Sequence, residues 1–227
     1  MNKNFVTNPN KLSQPAGAAL ALLGVKGMIP LWHGVQGCTA FAKVLFISHF
    51  REPMPFQNTA ISQTNIIMGG DQNIKEALNN LSNEAEIVGL ITTGVAETSG
   101  IDLKSVFMEI EKSNPNKHLL YINTPDYEGN LSSGYSKATA QLLRSFVSKS
   151  TNKNPKQVAI FPGPFFTPGE IEELRDVFTD FGLEPLFCPD QGDSLFGYLK
   201  KQQFSPCSCG GISVNQIEKL SESALVI

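Results

Sequence analysis

From Glu86 onward the chain alternates short β-like runs with segments of helical period, and that alternation leaves one architecture: parallel strands joined by crossover helices. Ile87-Val88-Gly89-Leu90-Ile91 reads as a buried strand. The polar stretch 92–100 follows it as a long loop, at the end of the strand where open α/β sheets collect ligands. Leu103, Val106, Phe107 and Ile110 predict an amphipathic helix over 101–113, and 119–122 is the next strand. After the turn Thr124-Pro125-Asp126-Tyr127, a helix is expected over 131–147, with Leu131, Tyr135, Ala138, Leu142 and Phe146 at helical spacing.

Residues 148–155 have no periodicity, and the domain boundary is placed there. The reading is an N-terminal α/β domain over 1–150 and the start of a second over 151–227. The second opens with a strand over 157–161, then Thr167-Pro168-Gly169-Glu170, a capping box with proline in the first helical turn. Its helix runs to about Phe181, Gly182 ends it, 184–188 is a strand and 213–223 a helix. Ala224-Leu225-Val226-Ile227 is again strand-like, so the chain is expected to be a truncated product or a fragment with its second domain incomplete.

Within the first domain, His33-Gly34-Val35-Gln36-Gly37-Cys38 brackets a cysteine with glycines ahead of Phe41, Val44, Leu45, Ile47 and Phe50. A cysteine at a helix start has its thiolate favoured by unpaired N–H groups and the helix dipole, and an anionic iron–sulfur cluster gains from the same field. From the hexapeptide alone, a cluster ligand and a buried, inert thiol are both open. Gly69-Gly70-Asp71 precedes a short helix carrying Ile74, Ala77, Leu78 and Leu81, its glycines serving a packing turn or a backbone approach to a ligand, with packing the favoured reading.

The net charge of −3, without a dense Lys/Arg patch, argues against nucleic acid or an anionic membrane as main partner. The apolar stretch 15–32 is broken by Gly24, Lys26, Gly27 and Pro30, so no membrane span is expected. No secretory signal is evident at the start, and a cytoplasmic protein is expected. The four cysteines, Cys38, Cys188, Cys207 and Cys209, do not make a disulfide framework in a chain of 227 residues. Neither a Walker-type phosphate loop nor a dinucleotide glycine fingerprint occurs, and no Ser/His/Asp constellation stands out.

Ordered motifs over nearly the whole chain carry a family resemblance. They are Asn8-Pro9 with Gln14-Pro15-Ala16-Gly17-Ala18, His33 to Phe41, His49-Phe50-Arg51-Glu52-Pro53, and Gly69-Gly70 with Gln72-Asn73. Thr93-Gly94 with Glu97-Thr98 and Gly100, Thr124-Pro125-Asp126, Pro162-Gly163 with Thr167-Pro168-Gly169, and Gly182-Leu183-Glu184-Pro185 continue the series. The chain resembles the nitrogenase component 1-like family, and within it the NifN group, the β-like subunits of the NifEN scaffold that matures the nitrogenase iron–molybdenum cofactor. The resemblance implies Rossmann-like parallel-sheet domains with flanking helices. It makes Cys38 a ligand of a [4Fe-4S] cluster at the boundary with a NifE-like subunit in a heterotetramer. It also implies a transient iron–molybdenum cofactor precursor, a NifB-type donor of that precursor, and the iron protein as a transient partner.

A four-iron cluster normally takes four cysteine thiolates, and the first domain contains only Cys38. Either the other ligands come from another chain, or Cys188, Cys207 and Cys209 fold back to it; the first is more economical, since those three lie beyond the linker. In the nitrogenase β subunit, further cluster cysteines would be expected where this chain has Phe56 and Gly94. His33, Gln36, Gly37, Thr93 and Glu97 are the candidate cofactor-binding residues: His33 and Gln36 have a structural turn donor as the alternative, and Thr93 and Glu97 lie at the sheet's ligand end, where the family places its cluster and subunit boundary. The expected function is a non-catalytic assembly scaffold. The alternatives are a subunit of a two-component reductase, of nitrogenase β or light-independent protochlorophyllide reductase type, and a metal-free α/β ligand-binding module.

Overall fold

The computed structural model describes residues 13–50, 54–68, 70–81, 84–85, 87–99, 102–115, 117–195 and 207–227. The motif residues Asn8, Pro9, Arg51, Glu52, Pro53, Gly69 and Gly100 lie outside the described residues.

Helix α1 (Gln14–Leu23) is built of strong helix formers, with Pro15 in the first turn where its missing N–H costs nothing, and it is buried on every side. Strand β1 (Met28–His33) follows and is also wholly buried. Periodicity shows neither element, because a helix without a polar face leaves no amphipathic pattern. Then come α2 (Gln36–Ile47), β2 (Gln57–Asn58), α3 (Gln63–Met68), α4 (Asp71–Asn80), β3 (Ile87–Thr92), α5 (Gly94–Glu97), α6 (Leu103–Ser113), β4 (His118–Ile122) and α7 (Leu131–Phe146). These strands form a parallel sheet in the order β2-β1-β3-β4.

Alternation along the strands sorts the core. Met28, Trp32, Ile87, Ile91, Leu120 and Ile122 pack on one face with α1 and α7, whereas Ile29, Leu31, Val88, Leu90 and Leu119 pack on the other with α4 and α6. Helices α1 and α7 cross backbone to backbone. A Cβ on Gly17 would lie 1.8 Å from the Leu131 carbonyl oxygen, and one on Gly134 1.8 Å from that of Gln14.

The second sheet, order β6-β5-β7, is also parallel and is made of β5 (Asn154–Ile160), β6 (Glu184–Phe187) and β7 (Ser223–Val226). Helix α8 (Pro168–Asp180) starts at the expected capping box, with Thr167 and Glu170 exchanging hydrogen bonds. It covers Val158, Ile160 and Phe187 through Ile171. A short α9 (Gln191–Ser194) and α10 (Val214–Glu218) complete the layer. Ala159, Cys188, Ile212, Ile217 and Leu220 belong to the same apolar cluster as α1 and α7, so the two sheets share a core.

Three expectations change. The loop over 92–100 contains the single turn α5, and the helix expected over 213–223 gives way at Lys219 to a 3-10 turn (Lys219–Glu222) before β7. The segment His49-Phe50-Arg51-Glu52, read from the sequence as closing a buried helix before Pro53, does not do so at His49-Phe50, because α2 stops at Ile47 and buries only Thr39, Ala42 and Phe46. Among the described residues no helix is long and apolar enough to cross a membrane.

Candidate functional site

Strands β1 and β3 end side by side, and their junction holds the cysteine loop. The His33 carbonyl accepts from the Thr93 N–H at 3.2 Å and from Thr93 Oγ1 at 3.0 Å. Thr93 is fully buried, and a Cβ on Gly34 would stand 2.6 Å from its Oγ1, so glycine at 34 is what lets the two strand ends meet. The His33 ring is buried, its Nδ1 3.0 Å from Thr59 Oγ1 and its edge against Gly70, where a Cβ would come within 2.9 Å. Burial lowers its pKa to about 4, so at neutral pH it is an uncharged imidazole. Gly70 thus has the packing role expected of it.

The loop is tied down on its other side. Asn58 donates to the Val35 carbonyl at 3.3 Å and to Thr39 Oγ1, and the Ile61 N–H reaches the Gly34 carbonyl at 3.1 Å. Helix α2 begins with Val35 as its N-cap, which has no side chain to offer the first-turn amides. Gln36 and Gly37 are exposed, and a Cβ on Gly37 would meet nothing within 4 Å. Glycine at 37 therefore leaves open space at the side of this first turn.

Cys38 sits in this first turn, half-buried, its inner side against the cluster that contains Trp32, Phe46 and Phe56. Its thiol pKa is raised rather than lowered: burial is the largest cause, the Asp126 charge adds to it, and a backbone hydrogen bond only opposes them. The expected thiolate preference of a helix start is overridden here by desolvation. A coordinating metal would itself displace the proton.

Asp126 is the residue that sequence reasoning passed over, taking it as part of a turn. Burial raises its pKa, against hydrogen bonds from the Gly94 N–H and the Ser13 hydroxyl. A Cβ on Gly94 would lie 3.3 Å from the Asp126 nitrogen, so Cys38, Gly94, Asp126 and Ser13 form one neighbourhood. The signal was present in the Thr124-Pro125-Asp126 motif, but its coupling to residue 38 is tertiary. Glu97 is engaged elsewhere: Tyr121 donates to its Oε1 at 3.4 Å, and burial followed by the Glu97 charge pushes Tyr121 up to about 12.

Phe56 is fully buried against Trp32 and Phe46, so neither it nor Gly94 brings a second thiol. The other cysteines lie at the opposite end of β1. Between Cys207 and Cys209, Ser208 donates its N–H to the Met28 carbonyl at 3.2 Å and its hydroxyl to the Leu23 carbonyl at 2.8 Å. Cys188 is buried after β6, its thiol pushed up to about 12 by burial and then by Asp190, whose N–H bonds the Gly24 carbonyl at 3.0 Å. The strand between is roughly 17 Å long at the parallel rise. Among the described residues no three His, Cys, Asp or Glu side chains converge to hold a metal ion. The donor set fits one ligand of a shared cluster, with open space beside it, and does not fit a complete four-thiolate site.

A family model described as nitrogenase component 1 type oxidoreductase matches residues 13–227. The nitrogenase iron-molybdenum cofactor biosynthesis protein NifN of a Nostoc species is 41% identical, covering 100% of this chain and 52% of the relative. Its namesake from Bradyrhizobium diazoefficiens is 39% identical over 99% of this chain and 50% of its own. The solved structure of nitrogenase Cp1 at pH 6.5 superposes with a TM-score of 0.88 at 26% identity, covering 100% of this chain and 50% of that one. The chain spans about half the length of the curated relatives it matches.

Proposed function

The chain belongs to the nitrogenase component 1 type oxidoreductase family, and on that premise we propose that it serves as a NifN-type scaffold subunit in maturation of the iron–molybdenum cofactor. Membership brings metal–sulfur clusters into the family context. The observation that carries the finer reading is the position of Cys38: one half-exposed thiol beside open space, with every other cysteine placed around the far end of β1 or buried. Such a site gives one share of a [4Fe-4S] cluster, and a NifE-like subunit supplies the rest within a heterotetramer.

When bound, a cluster of this kind takes up and releases single electrons. The chain's own residues do simpler work. Cys38, as its thiolate, would hold the cluster. Gly34 and Thr93 lock the strand ends so that the loop cannot drift, and neutral His33 holds the Thr59 side. Gly37 leaves room for a bulky group beside the first turn of α2, whose amides no N-cap side chain occupies. Glu97, with Tyr121, shapes the neighbouring rim. The cofactor precursor is cargo, received from a NifB-type donor, and the iron protein acts on the complex transiently in the cytoplasm. Residues 1–150 form the cluster-bearing unit and 151–227 open the next.

Anaerobic co-purification with a NifE-like subunit tests this. Broad visible iron–sulfur absorption that disappears in Cys38→Ala is expected; full iron content in that variant overturns the cluster assignment. Transfer of a bound precursor to nitrogenase apoprotein distinguishes a scaffold from a reductase, which would instead turn over a substrate.

A further inference from the structure

Helix α8 presents apolar and acidic side chains together on its outer face. Ile171, Leu174 and Phe178 face the second sheet with Val158, Ile160 and Phe187, and Arg175, the only base of the helix, is directed to Glu172 and Asp190. At 3.6 residues per turn the opposite arc carries Gly169, Glu170, Glu173, Asp176, Val177 and Asp180, and the C-cap Phe181 extends it; all are exposed. Phe181 is 80% exposed and Val177 42%. Glu170 and Glu173, Glu173 and Asp176, and Asp176 and Asp180 stand three or four positions apart, so each carboxylate repels the next along the column. Asp180 also lies in the last turn, at the negative end of the helix dipole, and no base in that turn offsets it. Among the described residues no lysine or arginine forms an ion pair with Glu173, Asp176 or Asp180.

We propose that this face of α8 docks a basic amphipathic helix of a protein partner, whose lysine or arginine side chains answer Glu173, Asp176 and Asp180 and whose apolar side chains cover Val177 and Phe181. The carboxylates recur at helical period, so a helix laid beside α8 meets them turn by turn. Charge complementarity decides the occupant: a second copy of this chain brings the same acidic column, and nucleic acid or an anionic membrane brings the same sign of charge. The column is not a cation site, since no three acidic side chains converge among the described residues. The exposed Phe181 ring offers an arginine of the partner a further contact. Like-charge neighbours and an acid at the negative helix end cost the free chain stability, and the same groups become favourable once such a partner is in place. Helix α8 covers the face of the second sheet turned away from the core shared with α1 and α7, so docking here requires neither Cys38 nor a cluster.

The test is fluorescence anisotropy of a labelled helical peptide of about 18 residues, five turns, with lysines on one face and leucines on the other, titrated with the whole chain. A peptide of the same composition in scrambled order and one with glutamates in place of the lysines serve as controls, and both are expected to bind at least about tenfold more weakly. Glu173→Gln/Asp176→Asn/Asp180→Asn should weaken binding at least about fivefold and remove most of its dependence on salt, and Phe181→Ser should weaken it about three- to fivefold. The neutralised variant should keep or raise the thermal midpoint, because it removes repelling pairs; lost binding without lost stability is what a merely structural role does not give. A photoreactive group on the leucine face should crosslink within residues 169–181. Absence of binding by the wild type, equal binding of the scrambled peptide, or undiminished binding by Phe181→Ser overturns the proposal, as do crosslinks that fall elsewhere. A thermal midpoint that drops in the neutralised variant assigns the carboxylates to the fold and overturns it too. Sedimentation showing that the chain self-associates through Phe181 overturns it in favour of a second copy.

Discussion

The two ends of β1 carry the same kinds of residue, glycines and cysteines, and treat them oppositely. At the amino end the backbone is tied internally: the Gly24 carbonyl accepts from both Asp190 and Ile212, Ser208 bonds Leu23 and Met28, and Gln191 ties Tyr135 to the Leu20 carbonyl. Arg175, over the Phe187 ring, pairs with Asp190 at 2.6 Å. At the carboxyl end the loop is fixed from behind by Thr93 and Asn58, but its front, Gln36 to Cys38 and the outer face of α2, has no such partners among the described residues. One end is a seam between sheets and the other is a presented surface. Where a cysteine sits relative to that division decides what it can do, more than its neighbours in sequence.

The sharpest way to break this comparison is one substitution made at both ends. Gly211 has φ +101°, and a Cβ there would stand 2.4 Å from the Gly24 carbonyl oxygen. Gly211→Val should destabilise the chain by roughly 3–5 kcal/mol through backbone strain and overpacking. Gly37→Val should change the isolated chain by less than about 0.5 kcal/mol while impairing cluster loading. Urea unfolding midpoints decide between them; equal losses would erase the distinction between seam and surface.

A smaller effect belongs to His33, the rigid back of the carboxyl end. Its folded pKa of about 4 lies below the ordinary 6.5, so the unfolded chain takes up the proton first as pH falls. Stability is thus complete above pH 6.5 and is lost between there and pH 4, by about 3 kcal/mol relative to a variant that cannot titrate. Asp126 and Asp190, both raised by burial, change stability in the opposite sense as pH falls, so the difference between wild type and His33→Gln is the quantity to follow. A difference that stays constant over that range would show that His33 is not held neutral.

The smallest effect concerns the thiols themselves. Removing the Asp126 charge should lower the Cys38 pKa, so Asp126→Asn is expected to speed alkylation of Cys38 at pH 7.5 by roughly two- to fivefold. Cys188, its thiol pushed up to about 12, should remain unlabelled in the folded chain. Mass spectrometry of iodoacetamide-treated protein reads both sites. A slower Cys38 in the variant would remove Asp126 from the site.

Much of this fold is legible along the chain because it depends on local rules. The strands at 87–92, 118–122, 154–160 and 184–187 and the capped helix at Thr167 follow from hydrophobic period and capping chemistry, which neighbouring residues decide. Helix α1 and strand β1, the centre of the structure, were illegible because total burial erases the polar half of the pattern. At the site, the motif at His33 to Cys38 was visible, and so were Thr93 and Glu97 at the sheet's ligand end. That Thr93 clamps His33, that Glu97 answers to Tyr121 and that Asp126 adds to the effect of burial on Cys38 were not visible, since each pairs residues from different segments of the chain.

By itself, the sequence determined the α/β class, the succession of later elements, the glycine-bracketed cysteine and the family in which such a loop occurs, because periodicity, capping and ordered motifs are properties of neighbouring residues. Only the tertiary structure decided that the remaining cysteines stand around the far end of β1, that burial and then Asp126 raise the Cys38 thiol pKa, and that α2 turns an apolar face outward. Those outcomes depend on which side of a shared core each segment meets, and distances through a core are not written in distances along a chain.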